Sequence, residues 1–231
     1  TPQIYLALSF ALLSTCWLKN KDKKENKNSK KIIITLAVII VPITYIEALH
    51  FTSSIIQRSR IECHNQWNPR HIPPEYWVKH TPWLPNIDES TKPLTMNNAM
   101  MFALDNRYRD AINLIINDKA NPYYALKEYR LASYYAHLDM IDSSIYYADK
   151  CIKMKPLCYD PVMIKASIYD KLSQKDKQIQ IMQDYLSKEQ KEPRAWVAMI
   201  DIYIKMKNYK KEEETFEKAI VLAVGHVWCS A

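Results

Sequence analysis

The last 140 residues of the chain repeat themselves. Segments beginning at Lys92, Ala125, Tyr159 and Pro193 are offset by 33, 34 and 34 residues. Their eighth places hold Ala99, Ala132, Ala166 and Ile200, and their eleventh hold Phe102, Tyr135, Tyr169 and Tyr203. The twenty-fourth hold Ile115, Ala148, Met182 and Phe216. A period of this length fits two antiparallel helices per unit. A small residue at the eighth place lets the first helix approach the second, and the ring at the eleventh fills the space beside it. One such unit cannot bury its apolar face alone, so neighbours stack into a solenoid. Residues 95–231 are therefore expected to be all-α, with about four helix pairs. Asn121-Pro122 and Asp160-Pro161 each place a capping side chain before a proline at a first helical position. Asp105-Asn106 and Lys207-Asn208 fall where turns inside a pair belong. A helical bundle with a coincidental pattern is the competing reading, and four aromatics in one column argue against it.

These columns resemble those of the tetratricopeptide repeat. Trp196 matches the aromatic at the fourth place, Ala111 and Ala219 match small residues at the twentieth and twenty-seventh, and Pro156 matches the closing proline. The second and fourth segments fit best. Gln178 departs from the pattern at the third segment's small twentieth place, and glycine, common at the eighth place, is absent there throughout. The resemblance implies a concave face lined by the first helix of each pair. Its second, fifth, ninth and twelfth places supply Met96, Met100, Tyr129, Ser133, Met163, Ser167, Asp170, Arg194 and Asp201. That mixed surface suits a peptide, a glycan or another part of the same protein. A solvated face is the plainer alternative.

Two apolar runs precede the repeats, with a charged stretch between them. Residues 32–51 carry only one formal charge, Glu47, and as a helix would span about 30 Å, a bilayer's hydrocarbon core. Pro42 predicts a kink near mid-span. Residues 4–18 carry no charge. They are short for a span, but the chain starts at Thr1, so the helix is expected to begin upstream. A cleaved signal peptide would need basic residues before the run, and a buried apolar stretch is the other alternative. The expected order is a transmembrane helix over 1–18, a cytoplasmic loop over 19–31, a second transmembrane helix over 32–52, and an extracytoplasmic connection over 53–94.

The loop holds seven lysines against Asp22 and Glu25, whereas only Arg58 and Arg60 closely follow the second run. Lysine-rich short loops stay cytoplasmic, which places residues 52–231 outside. An acidic-lipid or nucleic-acid patch is the alternative use of this loop. The net charge of +7 falls to +1 for residues 61–231, so the basic balance is a topology signal and nucleic acid is not an expected partner. Glu47 is an ionisable group in a membrane helix, hence a functional candidate, although its place near the span's end favours an interfacial role.

Residues 62–94 contain six prolines interleaved with Trp67, Tyr76, Trp77 and Trp83. This composition excludes a long helix and predicts an ordered, extended strap. Its aromatics are expected at the membrane surface or against the repeat domain, with substrate contact as the sharper alternative. Cys63, His64, His71 and His80 match no standard zinc spacing, so no metal or cofactor is expected. Cys151 and Cys158 are close enough in sequence for a disulfide to be one possibility. The tail VLAVGHVWCSA fits the repeat poorly and is expected to form a short cap or to fray. No phosphate loop, nucleophile elbow or paired-histidine motif occurs, so no catalytic residue is assigned.

The order of apolar span, lysine loop, apolar span, aromatic–proline strap and helical repeats is similar to the C-terminal end of bacterial O-antigen ligase and polymerase-like proteins. These include the protein O-oligosaccharyltransferases. Pro2-Gln3-Ile4-Tyr5-Leu6-Ala7 resembles the start of their penultimate span. The resemblance implies a multi-pass bacterial inner-membrane protein with a periplasmic repeat domain that positions an acceptor or partner. A lipid-linked glycan and a protein or lipid acceptor would engage segments outside this sequence. The alternative is a membrane-anchored tetratricopeptide scaffold for protein partners, without enzymatic activity.

Overall fold

The computed structural model describes residues 27–64, 72–82, 87–88, 92–118 and 125–228. They form ten α-helices. The chain divides into two compact units, Thr1–Asn98 and Ala99–Ala231. The first expected span, residues 1–18, lies outside the described residues, as does most of the lysine loop.

In the first unit, α1 (Lys27–His64) is one helix of 38 residues running through Pro42. The helix itself does not stop at residue 52, the expected end of the span, but continues twelve residues further. No proline occurs between Pro42 and Pro69, so nothing sterically stops the helix. The hydroxyls of Thr52 and Ser54 donate to the carbonyls of Ala48 and His50, at 2.8 and 3.1 Å, and satisfy themselves within it. Large apolar side chains of α1, among them Val38, Val41, Tyr45 and Phe51, are exposed. Within α1, Ala37–Arg60 is long and apolar enough to cross a bilayer, the one such stretch among the described residues.

The expected extended strap is also only partly extended. Pro74 opens a second helix, α2 (Pro74–His80), where its missing N–H costs nothing. Trp77 of α2 is fully buried with Pro74, Leu94 and Met96, so this ring serves a core and not a membrane surface. Arg60 is buried as well. It donates to Asn98 Oδ1 at 2.8 Å and lies 5.8 Å from the Trp77 ring centroid. Of the histidines considered as ligands, only the His80 side chain is described. It is exposed, stacked on Tyr76 at 4.0 Å.

Helix α3 (Leu94–Leu104) begins in the first unit and ends in the second. The second unit continues with α4 (Tyr108–Ile115), α5 (Leu126–His137), α6 (Ile141–Met154), α7 (Tyr159–Lys171), α8 (Lys175–Leu186), α9 (Pro193–Lys205) and α10 (Tyr209–Trp228). The tail is thus helical to Trp228, not a separate cap. Four turns link the helices in pairs, and each has one residue in left-handed backbone: Asn106, Asp139, Ser173 and Lys207, with φ of 59, 55, 57 and 58°. The next N–H in each turn donates back to the aromatic column. Arg107, Met140, Gln174 and Asn208 bond the carbonyls of Phe102, Tyr135, Tyr169 and Tyr203 at 2.9–3.0 Å. This is the six-to-one bond of a Schellman ending, built four times without the glycine that usually permits it.

The eighth-place alanines Ala99, Ala132 and Ala166 are buried. At the second pair the approach is close enough for the buried Ser144 hydroxyl of α6 to donate to the Ala132 carbonyl of α5 at 2.7 Å. Packing continues across pairs: Tyr159, Val162 and Ala166 of α7, Met182 and Tyr185 of α8, and Met199 and Tyr203 of α9 form one core cluster. Gln178, at a place meant for a small residue, is buried with its Oε1 unpartnered. The expected Asp160 cap is corrected, since α7 starts at Tyr159 and Asp160 lies in its first turn. Asn121-Pro122 lies outside the described residues. Cys151 and Cys158 are free thiols.

Replacing Ala132 with Leu is expected to destabilise the second unit by about 1–3 kcal/mol through overpacking, whereas Ser187→Leu on the exposed surface should be nearly neutral. Equal thermal shifts for the two variants would contradict the packing described. Lysine pays for left-handed backbone sterically, so Lys207→Gly should raise stability by roughly 0.5–1 kcal/mol, read as a higher melting midpoint.

Candidate functional site

Two helices on the same side of the solenoid, α5 and α7, enclose a groove of about 390 Å³. Each is the first helix of its pair, so the repeat period itself aligns their exposed faces. From α5 come Tyr129, Ser133, Ala136 and His137, and from α7 come Tyr159, Asp160, Met163, Ile164, Ser167, Ile168 and Lys171. The walls are apolar with hydroxyls set among them.

Charge sits at the two ends. At the N-terminal end of α7, Asp160 accepts from Arg194 at 3.2 Å. Arg194 is also held by Glu192 at 2.8 Å and covers the Tyr159 ring at 4.8 Å. Its guanidinium holds the Glu192 carboxyl below the usual range. At the other end, Lys171 pairs with Asp139 at 3.1 Å, and His137 stacks on Tyr108 with ring centroids 4.4 Å apart. The groove is thus lined by an ion-paired carboxylate at one end and an ion-paired ammonium at the other.

Burial pushes the Tyr159 phenol up to about 12, and burial with the Asp160 charge also raises Tyr129. Both phenols stay protonated through the neutral range. They can donate and accept hydrogen bonds, and neither is prepared to act as a nucleophile or base. No cluster of three or more His, Cys, Asp or Glu with metal-binding geometry occurs among the described residues.

Of the residues expected to share one surface, Tyr129, Ser133, Met163 and Ser167 line this groove. Arg194 closes one end through Asp160 without lining it. Met100 stands apart, its sulfur accepting from Arg130 at 3.5 Å. Asp170 is bound by Lys175, and Lys205 lies 3.5 Å away, which holds its carboxyl below the ordinary value. Asp201 is exposed on α9. Met96 is buried and presents nothing to solvent, so its assignment to the concave face is corrected. Sequence reasoning missed Asp160 and Ala136 although they occupy the second and twelfth places that defined the face. Lys171 and His137 follow at the thirteenth and were visible by the same spacing.

Residues 193–223 match the tetratricopeptide repeat family. That segment is a tetratricopeptide repeat. It comprises α9 and most of α10, the fourth of the periodic segments. No curated protein sequence matches the chain. Among solved structures, the chain is similar to MamA 41-end from Desulfovibrio magneticus RS-1. The two are 15% identical with a TM-score of 0.52, over 75% of this chain and 96% of that one. A MamA RS-1 ArsTM double mutant is likewise 15% identical, with a TM-score of 0.51 over 76% and 96%. At this identity the likeness is one of fold, an all-α tetratricopeptide-like solenoid. None of these matches is to an O-antigen ligase.

Burial, with the Cys158 and Glu128 charges adding to it, pushes the Cys151 thiol up to about 12. The folded state therefore keeps a proton that an unfolded thiol loses near pH 8.5. The stability this represents is complete below about pH 8.5 and declines as pH rises toward the folded value. Iodoacetamide at pH 8 should alkylate the half-buried Cys158 in the native protein and reach Cys151 only after unfolding. Equal native modification of both, read by peptide mapping, would contradict this burial.

Proposed function

We infer that the chain is a membrane-anchored protein-interaction module whose α5–α7 groove takes an extended segment of a protein partner. The observation that carries this reading is the groove itself: an apolar trough with hydroxyls along it and opposite charges at its ends, and no activated nucleophile or base. A peptide backbone in such a trough would find donors and acceptors in Tyr129, Ser133 and Ser167. Asp160 and Lys171 would favour one chain direction over the other. The tetratricopeptide repeat at 193–223 supports the class, because such repeats commonly bind proteins.

In this reading α1 is the anchor. Its exposed Val38, Val41, Tyr45 and Phe51 would face lipid, while Ser53 and Arg60 are already covered by protein within the first unit. Residues 1–18 would form a second span. The lysine loop over 19–31 would face the cytoplasm, and the connection over 53–94 with the repeats over 95–231 would lie outside it. A second reading keeps the order of span, connection and repeats as the end of a glycan-transferring membrane protein, in which the same groove positions an acceptor.

A photo-crosslinking residue at Ser167 in intact membranes is expected to capture discrete proteins. The same residue at Lys177, exposed on α8, should not. Adducts of equal yield at both sites would refute a groove-borne partner, and a glycan or lipid adduct at Ser167 would favour the second reading. For topology, an impermeant thiol reagent on intact cells should label Ser187→Cys and spare Ser29→Cys.

A further inference from the structure

Among the described residues, the α9–α10 pair exposes large apolar side chains. Ile115, Ala148 and Met182 share one column and are each 0% exposed, whereas Phe216 in the same column is 53% exposed. Val197 is likewise 57% exposed. Along the chain the first helix of the following pair packs against the preceding pair: α7 contacts both α5 and α6, and α9 contacts α8. At the α9–α10 pair that place is a groove of about 300 Å³ lined by Trp196, Val197, Ile200, Phe216 and Ile220. No carboxylate lines it, and its one charged group is Lys191. The period therefore states what shape fits: a single helix running parallel to α9.

Charge states the chemistry of that helix. At the two inner steps, the lysine at the thirteenth place of the incoming helix meets an acid at the end of the helix before it. Lys171 pairs with Asp139 at 3.1 Å, and Lys205 approaches Asp170 at 3.5 Å. These acids stand at the fifteenth and twelfth places of their segments. In the fourth segment those places hold Lys207 and Ile204. An incoming helix with a terminal lysine would thus face Lys207, and one with a terminal acid would pair with it. An acid in the incoming helix's first turn would face Lys191 and complement its own helix dipole.

We propose that the exposed face of the α9–α10 pair is a second docking surface, distinct from the α5–α7 groove. It binds an amphipathic helix of a partner protein, apolar on one side and acidic at both ends. Trp196, Val197 and Phe216 form its apolar contact, and Lys191 and Lys207 select the charge.

The probe is a labelled, helix-stapled peptide with the sequence of α7, YDPVMIKASIYDK, which covers the equivalent face of the α5–α6 pair in the chain itself. A second peptide carries Glu in place of its last lysine. Fluorescence anisotropy with the full chain in detergent should show both binding, the Glu peptide at least fivefold tighter. Phe216→Asp or Val197→Asp, with unchanged circular dichroism, should weaken both at least tenfold. Ser167→Trp, which fills the α5–α7 groove, should leave them unchanged, so this surface stands or falls independently of the groove. The proposal is overturned by no binding of either peptide at millimolar concentration, by equal binding of the Asp variants, or by equal affinity for the two peptides. A wild-type chain that light scattering finds self-associated, with the Phe216→Asp chain monomeric and the peptides inert, would overturn it in favour of a second copy as occupant.

Discussion

Each helix pair of the solenoid depends on one backbone hydrogen bond, from the N–H just past the turn to the carbonyl of the aromatic column. It fixes where the first helix ends and in which direction the second departs. Phe102, Tyr135, Tyr169 and Tyr203 therefore have two tasks: their rings pack beside the close helix contact, and their carbonyls terminate the helix. The bond requires left-handed backbone at the residue before the donor. The chain meets that requirement with Asn106, Asp139, Ser173 and Lys207, in a sequence whose single glycine is Gly225. Asparagine and aspartate tolerate this geometry better than lysine, so the four turns are equivalent in shape and unequal in cost.

Once the turns are fixed, the first helices of successive pairs lie side by side, and the groove between α5 and α7 follows. Its character comes from what the inner packing leaves over. The small residues Ala132 and Ala166 face inward, and the same helices turn Tyr129, Ser133, Met163 and Ser167 the other way. Asp160–Arg194 at the helices' N-terminal ends, and Asp139–Lys171 and Asp170–Lys205 at their C-terminal ends, then link neighbouring pairs. These ions are partly exposed, so each contributes little to stability. They leave a paired carboxylate, Asp160, lining the groove at the start of α7 and a paired ammonium, Lys171, at its end.

The first unit shows a different economy. A helix apolar enough for a bilayer continues past its apolar stretch until Arg60 meets Asn98 and Trp77 in a buried site. A guanidinium so placed must be held by polar and aromatic neighbours, because an unpaired buried charge is costly. The residue that reads as a flanking topology charge is also the tie between α1 and the rest of its unit. The end of the apolar run did not mark the end of the helix: with no proline between Pro42 and Pro69, α1 reaches His64.

Periodicity alone was enough for the all-α class, the helix pairing, the inward alanines and four of the groove's residues, because a helix repeats every 3.6 residues and stacking repeats every 34. Tertiary structure decided what depends on two distant segments at once. Met96 fell into a core, and Asp160 became an ion-pair partner of Arg194 instead of a cap. Phe216 is buried in the pattern and exposed in the fold, since a column position is covered only when a further helix stacks upon it. A sequence specifies which face of a helix is apolar. Whether that face meets a neighbour or solvent is settled by which other helix the fold brings to it.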